Sequence, residues 1–513
     1  MCENLNLQWS KTFTLLGIFF DNKLEKMQSN FEVGFSKIEK LLSNWSYRFL
    51  TPFGKVTVLK SLALSKISHI ALVIPNPSKD MLKRLNSTFH HFLWDNKSEK
   101  ICRLDAKLPL TYGGIAMPDI ASFWKAFKFS WLRRLLATRS FWPNILLNQI
   151  RNILSVELSV VEILQLGSFK LNMIAKKIKN PFWKEVFGGI KDMIENAAFC
   201  FPEKILSSPF FYNNLVLRGN KVIREKDFPE LTRIVGTLSD FYLPNTTTML
   251  SRDEFCEKYS CEVSVEKYID IRYVISVSFL KLRIDNCRLV PIQRPYVPFL
   301  IDVILSSKRG CRPYNRILQK KACLSSNIQK RESKWHNELG TVYSLDFWSN
   351  SRKLYSEVYL DNKLKWLQYQ IVRNSLQTNV VVSHFKVNVS RLCSYCHQAD
   401  ELISHLFWSC SHIQRFLDQL LSFLSTCDLQ ITPSRTNVLF GYHDLPYYHP
   451  KNFILLLFKK FVWTYKFRGC QLDINRFKSY MNVNIVDLKF KFDIKGEGKK
   501  FSEWNAIFAA LQG

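Results

Sequence analysis

The chain has 513 residues, of which 47% are hydrophobic and 14% aromatic, so it is long enough for several domains and too apolar to be largely disordered. Lysine and arginine number 72 against 43 aspartates and glutamates, which gives a formal charge of +29. An excess of this size, spread along a folded chain, points first to a polyanionic partner, and nucleic acid is the commonest one.

The N-terminal sequence and the cysteines indicate the cellular compartment. The first residues, MCENLNLQWS, lack the basic and apolar regions of a secretory signal, and no apolar run approaches the roughly 18 residues that cross a bilayer. The 13 cysteines are irregularly spaced, which indicates free thiols in a reducing compartment. We therefore expect an intracellular protein, cytoplasmic or nuclear, that binds no membrane.

The first quarter of the chain shows mainly helical patterns. Residues 13–20, FTLLGIFF, form a short apolar run that predicts a strand broken at Gly17. Apolar residues then recur every three or four positions over 24–50, 52–75 and 78–94, which predicts a small bundle of three antiparallel helices. A fourth amphipathic helix is predicted over 120–136, after a loop.

Local signals mark the ends and turns of these helices. Thr51 is a predicted N-cap, with Pro52 at the first helical position. Gly113 and Gly114 predict a tight turn with positive φ.

The rest of the chain is less regular. Prolines 291, 295 and 298 mark a predicted linker. Helical spacing returns over 333–376, 413–425 and 452–467. Residues 488–495, LKFKFDIK, alternate apolar and charged side chains, which predicts a strand with one solvated face.

Residues 393–410, CSYCHQADELISHLFWSC, contain the clearest chemical motif. Cys393 and Cys396 are spaced like the first ligand pair of a structural zinc site, and His405 and Cys410 follow at a distance that completes a Cys3His set. His397 and His412 are close enough to replace His405. The alternative is a group of ordinary buried thiols, because free cysteine is among the most buried residue types.

Two stretches resemble LINE-type (non-long-terminal-repeat) retrotransposon reverse transcriptases. Thr378-Asn379, the cysteine pair, Glu401 and the run His405-Leu406-Phe407-Trp408 resemble the C-terminal zinc knuckle of that family. A second series of residues resembles its thumb region, in this order: Trp45, Leu50-Thr51, Gly54-Lys55, Leu62 to Lys66, Asn86, Phe89, Phe92 to Trp94, Gly113 to Ile115, Pro118, Phe123, Lys128 and Trp131.

The resemblance and the patterns together predict a mainly α, multi-domain fold. Its expected parts are a thumb-like helical bundle, a mixed α connector, and a helical C-terminal domain with a small zinc knuckle and a short β segment. The expected divisions are 1–20 as the end of a palm-like strand near the primer grip, 21–140 as the thumb and wrist, 141–330 as the connector, 331–430 as the helical region with the knuckle at 393–410, and 431–513 as a C-terminal helical segment.

The catalytic motif of the family is missing from this sequence. The family resembled is an RNA-directed DNA polymerase, and two-metal polymerases need neighbouring carboxylates to share Mg2+ ions. No Asp-Asp dipeptide occurs in the chain. We therefore expect neither the palm nor the endonuclease here, no catalytic residue, no small-molecule substrate, and a role for Mg2+ only if a palm lies upstream. Structural Zn2+ is the expected cofactor.

Basic residues in both regions are the expected contacts to phosphate. Lys55 and Lys66 would lie on one edge of a single helix. Those expected to contact RNA or an RNA–DNA hybrid are Arg48, Lys55, Lys60, Lys66, Lys125, Lys128, Arg133 and Arg134 in the bundle, and Lys363, Lys365, Arg373, Lys386 and Arg391 near the knuckle. For each of them the alternative is a plain solvated helix face.

The expected function is therefore nucleic-acid binding by the C-terminal portion of a LINE-type reverse transcriptase, inactive by itself as a polymerase. Two alternatives remain at this point. One is a zinc-stabilised protein-interaction module without a nucleic-acid role, and the other is a non-functional fragment.

Overall fold

The structure is a computed structural model. It describes residues 11–512 except 139, 167, 201–205, 207, 214–215, 220, 244–247, 282–298, 308–309, 321–325, 358–360 and 470. The predicted linker at prolines 291, 295 and 298 lies outside these residues, as does the first half of the predicted palm-like segment.

The described part of the chain is mainly α-helical, which confirms the expected fold class. Its α-helices are, in chain order, α1 (Ser29–Ser46), α2 (Pro52–Val58), α3 (Ser65–Val73), α4 (Lys79–Trp94), α5 (Arg103–Lys107), α6 (Ile120–Ala137), α7 (Trp142–Leu154), α8 (Val160–Gln165), α9 (Ser168–Lys177), α10 (Pro181–Gly188), α11 (Ile190–Cys200), α12 (Arg252–Tyr259), α13 (Val265–Lys281), α14 (Phe299–Leu305), α15 (Arg312–Lys320), α16 (Ser326–Leu339), α17 (Leu345–Glu357), α18 (Asn362–Val372), α19 (Asn379–Ser383), α20 (Ser411–Ser425), α21 (Arg435–Phe440), α22 (Pro450–Lys466), α23 (Ile474–Ile494) and α24 (Asn505–Gln512).

Two small antiparallel sheets complete the described structure. The strand pairs are β1 (Thr12–Leu15) with β2 (Ile18–Asp21), and β3 (Leu217–Arg218) with β4 (Lys221–Val222). The apolar run 13–20 is thus a hairpin. Leu16 and Gly17, with φ of 51° and 76°, form its turn, and two successive positive φ values match the right-handed twist of the strands.

The chain forms two compact units, each made of three segments. Unit 1 contains Met1–Trp45, Lys60–Phe89 and Pro118–Cys323. Unit 2 contains Ser46–Leu59, His90–Met117 and Leu324–Gly513. The five-part division expected from the sequence stays a prediction.

Buried residues within the stretch 126–317 form a hydrophobic core in unit 1. Buried side chains from α6 to α15 supply this core, among them Phe129, Ile174, Phe187 and Ile271. A second contact joins α1 to α6 through the Phe31 and Trp124 rings, whose centroids lie 6.1 Å apart. These contacts bury the apolar faces that the helical periodicity predicted.

The first predicted helices differ from the structure at their ends and in their continuity. Helix α1 begins at Ser29, after a short 3-10 turn at Lys26–Gln28. Thr51 caps α2, its Oγ1 accepting the Gly54 N–H at 3.4 Å, and Pro52 stands at the first position as predicted. A π-helical turn, Leu59–Ala63, separates α2 from α3. The stretch 333–376 falls into three helices, α16 to α18.

The strand predicted at 488–495 is wrong, because residues 488–494 belong to α23 and Lys495 caps its end. Met481, Ile485, Leu488 and Phe492 are buried at spacings of three and four, while Phe490 is 62% exposed. An alternating pattern contains residues four apart, so it also fits one face of a helix that begins earlier. The expected β segment of the C-terminal domain is therefore absent from residues 474–494.

A glycine turn and a buried ion pair organise part of unit 2. Gly113 has a φ of 80°, as predicted, and its carbonyl accepts bonds from the Tyr369 hydroxyl at 3.1 Å and the Arg373 guanidinium at 2.7 Å. The same guanidinium pairs with the fully buried Asp105. A Cβ at Gly114 would lie 2.0 Å from the Leu108 carbonyl oxygen, so the turn requires glycine there.

No single α-helix in the described residues is long and apolar enough to cross a membrane. A bent pair, Pro52–Ala63 with Ser65–Val73, meets the requirement by length and composition only.

Candidate metal centre

A tight turn holds the first two cysteines of the motif. Leu392 and Asp400 form an antiparallel bridge that joins the two ends of the loop. Within it the Cys393 N–H donates to the Ala399 carbonyl at 2.8 Å. The Tyr395 N–H points at Cys393 Sγ, 3.4 Å away. This backbone geometry turns the Cys393 and Cys396 side chains toward one point.

A π-helical turn holds the other two residues. His405 begins the turn His405–Ser409, and Cys410 is the N-cap of α20. The Cys410 N–H donates to the His405 carbonyl at 3.0 Å. In a π-turn the N–H bonds to the carbonyl five residues earlier. The side chains of His405 and Cys410 therefore project from the same side of the turn.

The ligand atoms of Cys393, Cys396, His405 and Cys410 all lie within 4.8 Å of one another. Cys393 Sγ lies 3.9 Å from Cys410 Sγ, and Cys396 Sγ lies 3.3 Å from His405 Nε2. Tetrahedral zinc with its usual bond lengths would separate two sulfurs by about 3.8 Å and a sulfur from a nitrogen by about 3.5 Å. The four residues therefore fit a tetrahedral ion.

The structure also selects one histidine from the three that the sequence left open. His405 belongs to the group of converging ligands, whereas His397 and His412 are exposed and do not. His397 has a φ of 55°, in the left-handed region, where the chain reverses after Cys396. Four protein ligands, two of them fully buried, leave no open position, which is the arrangement of a structural rather than a catalytic site.

The protonation of the ligands suits a metal. A hydrogen bond from the Cys393 thiol lowers the pKa of Cys410, and the same bond, together with burial, raises the pKa of Cys393. Burial lowers the pKa of His405, which keeps the imidazole neutral and its nitrogen lone pair available. A bound cation would favour the thiolate at all three cysteines.

Glu401 supports the knuckle, a role that its place in the family resemblance did not indicate. It is fully buried. One carboxylate oxygen accepts the Ser394 N–H at 2.9 Å and the Ser394 hydroxyl at 2.8 Å. The other accepts the Asn379 N–H at 2.8 Å and pairs with Lys466. One side chain thus connects the cysteine turn, the start of α19 and the end of α22.

Two further contacts fasten the knuckle to neighbouring helices of unit 2. The Tyr395 hydroxyl donates to the Val462 carbonyl of α22 at 2.6 Å. Glu338 of α16 accepts the Ser404 N–H at 3.0 Å and the Asn374 side chain at 3.1 Å. The knuckle is therefore hydrogen-bonded to helices α16 and α22 of unit 2.

Three of the basic residues expected to contact phosphate are buried. Lys55 bonds to Asp95 at 2.5 Å, and Arg373 pairs with Asp105. Lys128 donates to the Ala71 carbonyl at 2.8 Å, and burial lowers its pKa to about 8. The sequence could not show this, because each partner is distant along the chain. In this structure these three side chains make contacts within the protein, and their binding to nucleic acid stays a prediction.

The remaining basic candidates reach the surface to different degrees. In unit 1 Lys60 and Lys66 are exposed, and Lys125 pairs with Asp192. Surrounding protein, with Arg312, lowers the pKa of Lys60. The π-turn after α2 invalidates the predicted common edge for Lys55 and Lys66.

Two arginines of α6 line a cleft of unit 1. The cleft has a volume of about 230 Å³ and is lined by Ser130, Arg133, Arg134, Ala137 and Gly310. The Arg134 guanidinium lies 4.6 Å from the Trp131 ring centroid.

In unit 2 the remaining candidates are exposed or half-buried. Arg48, Lys363 and Lys386 are exposed, and Arg391 pairs with Asp400 at 2.7 Å on the surface. Lys365 is half-buried, with Nζ 5.0 Å from the Phe53 ring centroid. Binding of nucleic acid by any of these residues stays a prediction.

Comparison with known protein families identifies the zinc-binding region. Residues 344–416 match the family model described as zinc-binding in reverse transcriptase. This segment contains α17 to α19, all four ligands and the start of α20. The class of the region is thus a reverse-transcriptase zinc-binding domain. A search of curated proteins gave no match.

Proposed function

We propose that the chain is the nucleic-acid-holding, C-terminal portion of a LINE-type reverse transcriptase. One observation carries the proposal: the residues that match the reverse-transcriptase zinc-binding family are those in which two cysteines, a histidine and a third cysteine converge. The order of the thumb-like residues in the sequence supports the LINE type. An intracellular site of action, cytoplasmic or nuclear, belongs to the same proposal.

The zinc ion has a structural role in this proposal. When bound, it supplies a fourfold cross-link between the cysteine turn and the start of α20. Cys393, Cys396, His405 and Cys410 would hold it. Mg2+ belongs to a palm, which the proposal places outside this chain, so we expect the isolated chain to extend no primer.

RNA, or an RNA–DNA hybrid, is the proposed partner. The charge of +29 favours a polyanion, and contacts from Lys and Arg to phosphate fix a strand without reading its sequence. The exposed side chains Lys66 in unit 1 and Lys363 in unit 2 are among the proposed contacts.

The test is the salt dependence of RNA binding. Fluorescence anisotropy with a labelled oligoribonucleotide, from 50 to 300 mM KCl, gives the affinity and its slope against salt concentration. Each phosphate contact contributes about 0.7 to that logarithmic slope for a single strand. We expect the Lys66→Glu and Lys363→Glu double variant to bind more weakly, with a slope smaller by about 1.4.

A matched variant separates local contacts from net charge. Lys179 and Lys499 are exposed and were not among the expected contacts, so Lys179→Glu with Lys499→Glu changes the charge equally. We expect it to keep most of the wild-type slope. The proposal fails if the wild-type chain, loaded with zinc, does not bind RNA or hybrid at 50 mM salt.

A further inference from the structure

The segment Ser46–Leu50, between α1 and α2, exposes two aromatic rings. Tyr47 is 82% exposed and Phe49 is completely exposed. Arg48, between them, is exposed as well. Aromatic rings usually bury most of their area, so two open rings around a guanidinium form an informative exception.

The segment is an ordered part of unit 2. The Leu50 N–H donates to the Arg48 carbonyl at 2.7 Å, and Thr51 and Pro52 fix the start of α2. Leu50 packs closely on α2, since a Cβ at Gly54 would lie 3.4 Å from the Leu50 Cβ. The rings therefore project from a backbone that is already fixed, so little ordering entropy opposes a ligand.

The stretch of sequence that carries the two rings has no negative charge. Residues 40–79 contain no aspartate or glutamate. Helix α18 packs on α2 through Phe53, whose ring lies 5.7 Å from Trp366. The start of α18 is also near, because Asn362 Nδ2 lies 3.8 Å from the Cβ position of Gly54.

The start of α18, which contacts α2, carries two lysines. Lys363, the next residue after Asn362, is exposed, and Lys365 lies over the Phe53 ring. Asp361 is engaged as the N-cap of α18, where its side chain accepts the Lys363 N–H at 2.6 Å. Open aromatic rings amid cationic side chains fit a ligand with flat apolar faces and a negative backbone.

We infer that Tyr47, Arg48 and Phe49 form a stacking platform for unpaired nucleotides of single-stranded RNA. The bases stack on the two rings, and Arg48, with Lys363 nearby, contacts the phosphates. Stacking of this kind needs a free base face, which a strand offers only where it is unpaired. The inference rests on the proposed function and specifies the form of nucleic acid that this surface recognises.

The experiment compares single-stranded RNA with a hybrid duplex. Anisotropy is measured with an unstructured 20-nucleotide RNA and with the same RNA paired to DNA. We expect Tyr47→Ala with Phe49→Ala to weaken single-strand binding about tenfold to one hundredfold, because stacking on each ring contributes to affinity. Hybrid binding should change less than twofold. The salt slope should stay the same, because no charge is removed.

Two control variants distinguish stacking from general damage. Tyr47→Phe with Phe49→Tyr keeps both rings and should bind like the wild type. Phe141 is 74% exposed in unit 1, and Phe141→Ala should leave both affinities unchanged. Zinc content and circular dichroism verify that each variant is folded.

The possible results separate the two proposals. If the double alanine variant binds single-stranded RNA like the wild type, or loses both nucleic acids equally, the platform is wrong and the proposed function stands. If the wild type binds neither nucleic acid, both are wrong. Selective loss of the single strand supports both.

Discussion

Replacing Glu401 by glutamine tests whether the buried carboxylate secures the zinc knuckle. The substitution keeps the shape of the side chain and removes its charge. Glutamine has one acceptor oxygen, whereas the carboxylate accepts bonds from Asn379, Ser394 and Lys466 with two. The NH2 group of the glutamine would face either the Asn379 and Lys466 donors or the Ser394 donors, and it cannot accept their hydrogen bonds. The Lys466 ammonium, 4% exposed, would also lose its counter-charge.

The expected cost follows from that loss. Removing one partner of a buried ion pair costs about 3–5 kcal/mol, because the other charge stays buried without compensation. We therefore expect Glu401→Gln to lower the stability of unit 2 by about that amount. Glu401→Gln combined with Lys466→Met should recover part of it, since no buried charge then remains.

The assay follows urea denaturation of the zinc-loaded chain with two signals. Release of zinc to a colorimetric chelator reports the knuckle, and tryptophan fluorescence reports the folded chain. We expect Glu401→Gln to release zinc at lower urea concentration than the wild type. A shift worth less than about 0.5 kcal/mol, the range usual for surface substitutions, would refute the argument.

Three further predictions concern pH, packing and metal. Burial lowers the pKa of Lys459 to about 7 from 10.5, so between these pH values the unfolded chain binds a proton that the folded chain lacks. Lys459 should therefore make stability rise with pH by about 1.4 kcal/mol per unit across this range, in addition to the contribution of Lys128, and Lys459→Met should remove the part due to Lys459 in denaturation at pH 7 to 9. Gly114→Ala places a Cβ against a carbonyl oxygen and should cost roughly 2 kcal/mol or more in thermal unfolding. Chelation of the metal should speed amide hydrogen exchange over 392–410 and leave the core of unit 1 protected.

Each of these predictions has a control. Lys495 is exposed, so Lys495→Met should keep the pH slope, and an equal loss of slope in both variants would contradict the role of Lys459. Apart from its chain neighbours and its own helix backbone, no heavy atom lies within 4 Å of a Cβ at Gly188, so Gly188→Ala should be neutral or stabilising. Unchanged exchange at the knuckle after chelation, with the metal shown to be removed, would mean that zinc does not order this region.

Periodicity predicted most helices because apolar spacing decides which face of a helix is buried. Helix α6, predicted over 120–136 and found over Ile120–Ala137, is the clearest case. The same logic failed at 488–495, where a pattern of period two coincided with one face of α23. Sequence spacing predicted the four residues whose ligand atoms converge, and the structure distinguished His405 from His397 and His412.

The basic residues were harder to assign than the helices or the metal ligands. The sequence of an amphipathic helix does not show whether one of its lysines is solvated or buried. The buried ammonium groups of Lys55 and Lys128 bond to Asp95 and to the Ala71 carbonyl, and both partners are separated from them by tens of residues. Likewise, Glu401 gains its role from Lys466, which belongs to a different helix.

The alternation of the two units along the chain affects how the protein is made. The ribosome completes all three segments of unit 1 by Cys323, but it delivers Ser46–Leu59 and His90–Met117 long before the last segment of unit 2, Leu324–Gly513. Until then, Phe53 lacks the rings of Trp366 and Tyr369 that pack on it in the finished structure. Premature termination near residue 323 would thus leave a folded first unit carrying two permanently unfinished stretches, a product suited to chaperone binding and degradation.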